Sequence, residues 1–290
     1  MPELRTFWHR LRRSPAPVRI MAFLIAVVLV AAPLAVPLYR FEDAATGGKS
    51  IIWAPISLLG VFVLGLPLWL RWVHHLKAPW QAMGMTSGTR GWWSGLAAFL
   101  AGAGGVAVLY LLQVALGWGT WMPPTSRELV RNIPEGLLVG IGVGIAEELV
   151  FRGWLLFELE QDYAFPIALW LNAGFFAIAH YIRPLSAIVE TWPQFFGLLL
   201  LGLTLGWARR IPISPDRSFP PRTTLGFAAG LHGGLVWAYY QVDVGDLVLA
   251  TGKVPEWITG IGGNPLAGVL GLLLLGAIAG ATYTASHVSQ

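Results

Sequence analysis

Long apolar stretches separated by short polar connections run through the whole chain. A helix that crosses a bilayer needs about 20 predominantly apolar residues, and most of the stretches reach that length. The pattern therefore predicts an all-α polytopic membrane protein, a bundle of about eight transmembrane helices. The predicted spans are residues 18–39, 51–73, 92–117, 134–158, 164–183, 194–208, 225–241 and 265–284.

The composition agrees with a lipid environment. Hydrophobic residues make up 56% of the chain and charged residues 12%, about half of the roughly 25% that is usual for soluble domains. The chain has no cysteine, which excludes disulfides and Cys-ligated metals. The lipid bilayer is therefore the expected partner. Nucleic acid is not expected, because the basic residues that give a net charge of +4 follow the predicted membrane topology.

The distribution of Lys and Arg predicts the orientation. Five arginines precede the first span, and with the N-terminus inside, the inner segments hold twice as many basic residues as the outer ones. This bias favours a multi-pass integral membrane protein with both termini in the cytoplasm. The first apolar stretch is too long for a signal-peptide core, so we interpret it as an uncleaved span.

Glycines spaced four residues apart predict close helix packing. Helices in lipid gain little from burying apolar side chains against one another, so small residues that let backbones approach supply much of the packing. The repeats are Gly136, Gly140 and Gly144; Gly226, Gly230 and Gly234; Gly202 and Gly206; and Gly276 and Gly280.

Three ionisable residues interrupt the fourth predicted span. Each charge at the centre of a bilayer costs about 2.5–3.5 kcal/mol, so Glu147, Glu148 and Arg152 must be paired, neutralised or turned towards a polar cavity. Glu148 and Arg152 are four residues apart and are predicted to pair on one helix face. Glu147 lies about 140° from Arg152 around the helix and has no cation nearby in sequence. A purely structural salt-bridge cluster is the alternative interpretation.

Two of the six histidines, His180 and His232, fall inside predicted spans. The other four, His9, His74, His75 and His287, fall in connections or tails and are expected at the surface. Two buried imidazoles beside an unpaired glutamate indicate a catalytic or ion-handling site, since imidazole titrates near neutrality and can exchange protons with a carboxylate.

These residues form three motifs in a fixed order. They are Glu-Glu-x-x-x-Arg at Glu147, Glu148 and Arg152, Phe-x-x-x-His at Phe176 and His180, and a partial His-x-x-x-Asn at His232. The set resembles the CAAX-type prenyl endopeptidase and bacteriocin-processing family of intramembrane proteases, also called the abortive-infection family, over roughly residues 134–241. The resemblance divides the chain into an N-terminal membrane segment, residues 1–133, with about three spans, and a protease-like core, residues 134–290.

The resemblance implies a hydrolase that cleaves a membrane-associated protein or peptide near its C-terminal or membrane-proximal part. Glu147 would be the general base, His180 would help to orient and activate a water molecule, and His232 would stabilise the oxyanion. Glu148, Arg152 and Phe176 would support these catalytic residues.

One position departs from the family pattern. Val236 stands where many members have an asparagine that donates to the oxyanion, and losing one such donor typically costs about 10²–10³ in rate. The chain is therefore a slow protease, uses another donor, or has lost catalysis. Asn172, two helical turns before His180, is not expected to replace it.

Two further questions stay open in the sequence. Glu147, His180 and His232 could together bind zinc, but they come from three helices without the His-Glu-x-x-His spacing, so we expect a glutamate-type mechanism without a cofactor. A non-catalytic scaffold or immunity protein of the same fold is the main alternative function. A proton-coupled carrier is a weaker one, because buried Glu and His also form proton relays.

Overall fold

The computed structural model describes residues 2–48, 50–85, 88–182, 184–213 and 223–287, and these are overwhelmingly helical. The prediction of an all-α polytopic membrane fold is confirmed. The helices are α1 (Pro2–Arg12), α2 (Ala16–Thr46), α3 (Trp53–Trp72), α4 (Pro79–Ala82), α5 (Thr89–Ala115), α6 (Ser126–Glu148), α7 (Leu156–Glu160), α8 (Phe165–Ala179), α9 (Leu185–Thr191), α10 (Gln194–Ala208), α11 (Leu225–Asp243), α12 (Glu256–Thr259) and α13 (Val269–His287).

Short non-α elements connect these helices. A π-helical segment, Leu149–Leu155, joins α6 to α7. Two 3₁₀ turns, Ile261–Gly263 and Pro265–Ala267, precede α13. Strands β1 (Gly119–Trp121) and β2 (Val248–Ala250) pair antiparallel as a two-stranded sheet.

Each of the eight predicted spans contains a helix, but not every one of these helices is long and apolar enough to cross a membrane by itself. Within the described residues, α2, α3, α5 and α13 are long and apolar enough to do so. The pair α9 and α10, bent by 79°, adds a fifth span if it is counted as one. Helix α8 is apolar but only 15 residues long. By length and hydropathy the structure therefore supports four or five spans.

The described residues form two compact units. The first comprises Met1–Met83 with Phe157–Tyr163, and the second Gly84–Leu156 with Ala164–Gln290. These units do not coincide with the segments 1–133 and 134–290, which followed the motifs rather than packing. That division stays a prediction about where the functional part begins.

The first unit contains a buried ionic cluster centred on Glu158. Its carboxylate accepts hydrogen bonds from Arg19 Nε at 2.9 Å and Trp69 Nε1 at 2.7 Å, and lies 2.8 Å from His74 Nε2. Side-chain exposure is 0% for Glu158, 2% for Arg19 and 6% for His74. The expectation of a surface His74 is therefore wrong, because Glu158 offers this ring a buried acceptor.

In the second unit, α11 packs against both α5 and α6. The glycine repeats of α6 and α11 lie at this contact, as predicted. A Cβ atom on Gly144 would lie 2.5 Å from the Ala229 carbonyl oxygen, so only glycine fits at this approach. Gly276 and Gly280 have open space around them, and the prediction of a seam there is wrong.

Helix α6 begins earlier than the fourth predicted span. Thr125 and Glu128 form a capping box in which the Thr125 side chain accepts from the Glu128 N–H and the Glu128 side chain accepts from the Thr125 N–H. Pro134 therefore lies inside α6 rather than at its start. Pro166 lies in the first turn of α8, where its missing N–H costs little.

Candidate active site

Three helices of the second unit bring the predicted catalytic residues together. Glu147 lies at the end of α6, His180 directly follows α8, and His232 lies within α11. Glu147 Oε2 is 3.8 Å from His180 Nε2 and 4.0 Å from His232 Nε2. Both distances exceed the 3.5 Å of a direct hydrogen bond but suit groups bridged by one small molecule.

In the part of the chain that the structure describes, the basic side chains within 4.0 Å of the Glu147 carboxylate are those of two histidines. Among the described residues, no Lys or Arg nitrogen lies within 4.0 Å of its carboxylate. Its Oε2 atom is buried and makes no hydrogen bond to the described residues, although the side chain as a whole is 30% exposed. A buried carboxylate oxygen without a donor is costly, which favours an additional donor molecule at this point.

Glu148 has a different environment from its neighbour. It is fully buried, and its Oε1 atom accepts from Arg152 Nη1 at 2.8 Å, so the predicted pair is confirmed. The same oxygen lies 3.0 Å from His232 Nδ1. Arg152 Nη2 also donates to the Gly202 carbonyl at 3.0 Å, which connects the pair to α10. Glu148 therefore fixes one imidazole of the cluster and balances one buried cation.

Phe176 closes this group from the side of α8. Its ring is fully buried, and the Arg152 guanidinium carbon lies 4.4 Å from its centroid. The ring centroids of Phe176 and His180 are 4.6 Å apart. Phe176 thus contacts both the Arg152 cation, in a cation–π arrangement, and a histidine of the cluster.

The π-helical segment after Glu148 was not foreseen from the sequence. In it the N–H of Leu156 donates to the carbonyl of Phe151, five residues earlier. The Asn172 side chain donates to the same carbonyl at 2.7 Å. Segments of this kind are rare and are frequently found at functional sites. Asn172 is therefore engaged with the π-helical backbone, in agreement with the expectation that it does not replace an oxyanion donor.

Hydrogen-bond partners suggest the tautomers of the two rings. His180 Nδ1 lies 2.8 Å from the Phe176 carbonyl oxygen, which can only accept, so Nδ1 carries a hydrogen. His232 Nδ1 lies 3.0 Å from the Glu148 oxygen that accepts from Arg152, so this ring nitrogen also carries a hydrogen. In both rings Nε2 is the atom that faces Glu147, so it is the ring nitrogen left for chemistry at that carboxylate.

The cluster does not have the geometry of a zinc site. Zinc ligands at about 2.0–2.2 Å place neighbouring ligand atoms roughly 3.3–3.6 Å apart in a tetrahedron. The distances from Glu147 are longer, 3.8 and 4.0 Å. In the part of the chain that the structure describes, no group of three or more His, Asp or Glu could hold a metal ion.

The fold and this cluster define a helical multi-pass membrane protein with a carboxylate–imidazole site inside one of its units. Residues 129–212 match a protein-family model described as Rce1-like, type II CAAX prenyl endopeptidase Rce1-like. No curated protein and no solved structure matches the chain. The family match confirms the resemblance found in the motifs and supports a function of the CAAX-type intramembrane protease kind.

The matched segment covers only part of the cluster. Glu147, Glu148, Arg152, Phe176 and His180 lie within it. His232 and Val236 lie outside it, so the third helix is joined to the site by the partial motif at His232 and by geometry, and not by the family match.

Proposed function

We propose that the chain is an intramembrane endopeptidase that hydrolyses a peptide bond with a water molecule activated by Glu147. The observation that carries this proposal is the approach of Glu147 Oε2 to the Nε2 atoms of His180 and His232, at 3.8 and 4.0 Å. A water molecule at ordinary hydrogen-bond distances from both atoms fits between such groups.

Each side chain has a role that follows from its partners. Glu147 takes a proton from the water, and the bare Nε2 of His180 holds that water by accepting its second hydrogen. The attacked carbonyl becomes an oxyanion, to which the protonated His232 donates through Nε2. The C–N bond then breaks, and the proton that Glu147 took from the water passes to the nitrogen of the leaving amine. Glu148 orients the ring of His232, because its carboxylate accepts the Nδ1 hydrogen.

The expected substrate is a membrane-associated protein or peptide, cleaved near its C-terminal or membrane-proximal part. No metal ion takes part in the proposed steps, and the distances of 3.8 and 4.0 Å from Glu147 to the two histidines, which are longer than those between neighbouring zinc ligands, support this part of the proposal. Chelators should therefore leave the cleavage rate unchanged, which can be measured with the same peptides that report the activity.

The direct test uses the full chain, purified in detergent, with a library of membrane-anchored peptides. Glu147→Gln keeps the shape of the side chain and removes the base, so the rate should fall by about 10²–10⁴. Glu135→Gln, on the exposed part of the same helix, is the matched control and should cleave normally. Equal rates for Glu147→Gln and the unchanged chain contradict the proposed mechanism.

Val236 favours a second candidate function, a membrane scaffold or immunity protein that kept the buried cluster for packing. Valine offers no donor where the family pattern has an amide, which lowers the expected rate. In this case no peptide is cleaved, and Glu147→Gln alters thermal stability or partner binding instead. Replacing Val236 by Asn separates the two functions, because only a protease gains rate.

A further inference from the structure

A cavity of about 240 Å³ lies at one end of the second unit, away from the glutamate–histidine cluster. The ends of α5 and α11, strand β2 and the segment around Glu256 line it. Asp243, at the end of α11, is eleven residues beyond His232, or about 16 Å along the helix. The volume is below the roughly 300–1,000 Å³ of whole-ligand pockets and suits one side chain or a small head group.

Three carboxylates give the cavity a strong negative charge. Asp243, Asp246 and Glu256 line it, and among the described residues none of them pairs with a Lys, Arg or His nitrogen within 4.0 Å. Among the described residues, Asp243 accepts from the Tyr239 hydroxyl at 3.1 Å, and Glu256 accepts from the Gly262 N–H, also at 3.1 Å. Unpaired like charges that share a cavity favour a cationic ligand.

A buried amide gives a second and independent indication of a ligand. Gln113, on α5, lines the same cavity and is only 4% exposed. Its Nε2 atom is buried and makes no hydrogen bond to the residues that the structure describes. Such a group costs about 1–3 kcal/mol when it stays unsatisfied. A ligand that fits here therefore carries a hydrogen-bond acceptor as well as a positive charge.

Strand β2 adds a backbone component. It lines the cavity and has one neighbour, β1, in a two-stranded sheet. The bonds from Met122 N to Leu247 O and from Thr251 N to Trp118 O fix the ladder pattern, so Val248 and Ala250 direct their N–H and C=O groups to the other edge. An extended peptide can pair with such an edge.

We propose that this cavity binds a positively charged residue of an extended peptide, with its cation at the carboxylates and a backbone carbonyl at Gln113. A simple alkylamine satisfies only the first of these contacts. A single metal ion is a poor fit, because the described carboxylates do not converge as a metal ligand group. The site is separate from the proposed hydrolysis and does not depend on it.

The test measures peptide binding by fluorescence anisotropy with the purified full chain in a neutral detergent. The Glu147→Gln background prevents cleavage, so that binding is observed whether or not the chain is a protease. The probe is a labelled Ala-Ala-Arg-Ala-Ala peptide with blocked ends. The same peptide with citrulline in place of arginine has nearly the same shape without the charge, and agmatine supplies the guanidinium without a carbonyl.

The arginine peptide should bind, and the citrulline peptide at least tenfold more weakly. Asp243→Asn combined with Asp246→Asn should raise the Kd of the arginine peptide about tenfold or more, and Gln113→Leu about fivefold. Glu256→Gln serves as the charge variant if the double variant does not fold. Glu190→Gln, an exposed glutamate on α9, is the matched control and should bind as the background does.

Three results would overturn the proposal. The first is equal binding of the arginine and citrulline peptides, and the second is an unchanged Kd in the carboxylate variants. The third is displacement of the arginine peptide by agmatine at a concentration no higher than that of the peptide. The last result assigns the cavity to small free amines instead of a peptide residue.

Discussion

Replacing Arg152 by Met tests the electrostatic organisation of the site directly. Arg152 and Glu148 are both 0% exposed at their side chains and bond at 2.8 Å. Methionine keeps an unbranched side chain of moderate size but removes the cation. Breaking a buried pair from one side costs about 3–5 kcal/mol, because the remaining charge has no partner.

The structure places the expected loss near the lower end of that range. Glu148 keeps the contact with His232 Nδ1 at 3.0 Å, so its carboxylate retains one hydrogen bond after Arg152 is replaced. We therefore expect the free energy of unfolding to fall by about 3 kcal/mol. The loss of the guanidinium over the Phe176 ring, 4.4 Å from its centroid, adds a smaller part.

The assay is reversible unfolding in mixed micelles, followed by tryptophan fluorescence. It compares the single variants Arg152→Met and Glu148→Gln with the variant that carries both substitutions. Glu148→Gln combined with Arg152→Met removes both charges, so it should recover at least half of the stability that Arg152→Met loses. A loss below about 1 kcal/mol for Arg152→Met refutes the reasoning. So does a double variant that is no more stable than the single one.

Three further predictions concern other parts of the fold. Gly144→Ala should destabilise the chain by about 1–3 kcal/mol, because the new Cβ meets the Ala229 carbonyl. Gly142→Ala, with open space around it, should not, and thermal unfolding of both variants measures the difference. Glu158→Gln should lower the free energy of unfolding by about 3 kcal/mol in the same assay, because among the described residues it leaves buried Arg19 with Asp162, at 3.4 Å, as its ionic partner. Unchanged stability of this variant contradicts the prediction. The hydrogen bond from the Thr125 backbone holds the pKa of Glu128 below its usual value. The cap therefore stabilises α6 fully above the unfolded pKa of a glutamate, and this stabilisation is lost as the pH falls through the lower folded pKa. The melting temperatures of Glu128→Gln and the unchanged chain should converge in acid.

Local sequence patterns predicted the parts of the structure that depend on near neighbours. The helices at all eight apolar stretches follow from length and composition, and the Glu148–Arg152 pair follows from helical spacing. The cap at Thr125 was also readable, since Thr-x-x-Glu is a known start signal, but the apolar pattern began only at Pro134. The start of α6 was therefore placed too late.

Contacts between distant residues could not be predicted in the same way. His74 and Glu158 are 84 residues apart, and nothing near His74 in the sequence indicates a buried acceptor. The π-helical segment accepts a hydrogen bond from another helix, where the Asn172 amide donates to the Phe151 carbonyl. The four-residue repeat of Gly276 and Gly280 looks like the other glycine repeats, yet no neighbour approaches it. Only packing distinguishes these cases.

The two adjacent glutamates explain why the site needs both a charged pair and an unpaired acid. Neighbours on a helix point about 100° apart, so Glu148 can face Arg152 while Glu147 faces the two Nε2 atoms. Glu148 holds Arg152 at 2.8 Å, and in the part of the chain that the structure describes no Arg152 nitrogen lies within 4.0 Å of the Glu147 carboxylate. The same carboxylate orients His232, and Phe176 packs against both Arg152 and His180. Each supporting residue thus preserves the property that the proposed general-base role requires of Glu147, a carboxylate that among the described residues has imidazoles, and no Lys or Arg nitrogen, within 4.0 Å.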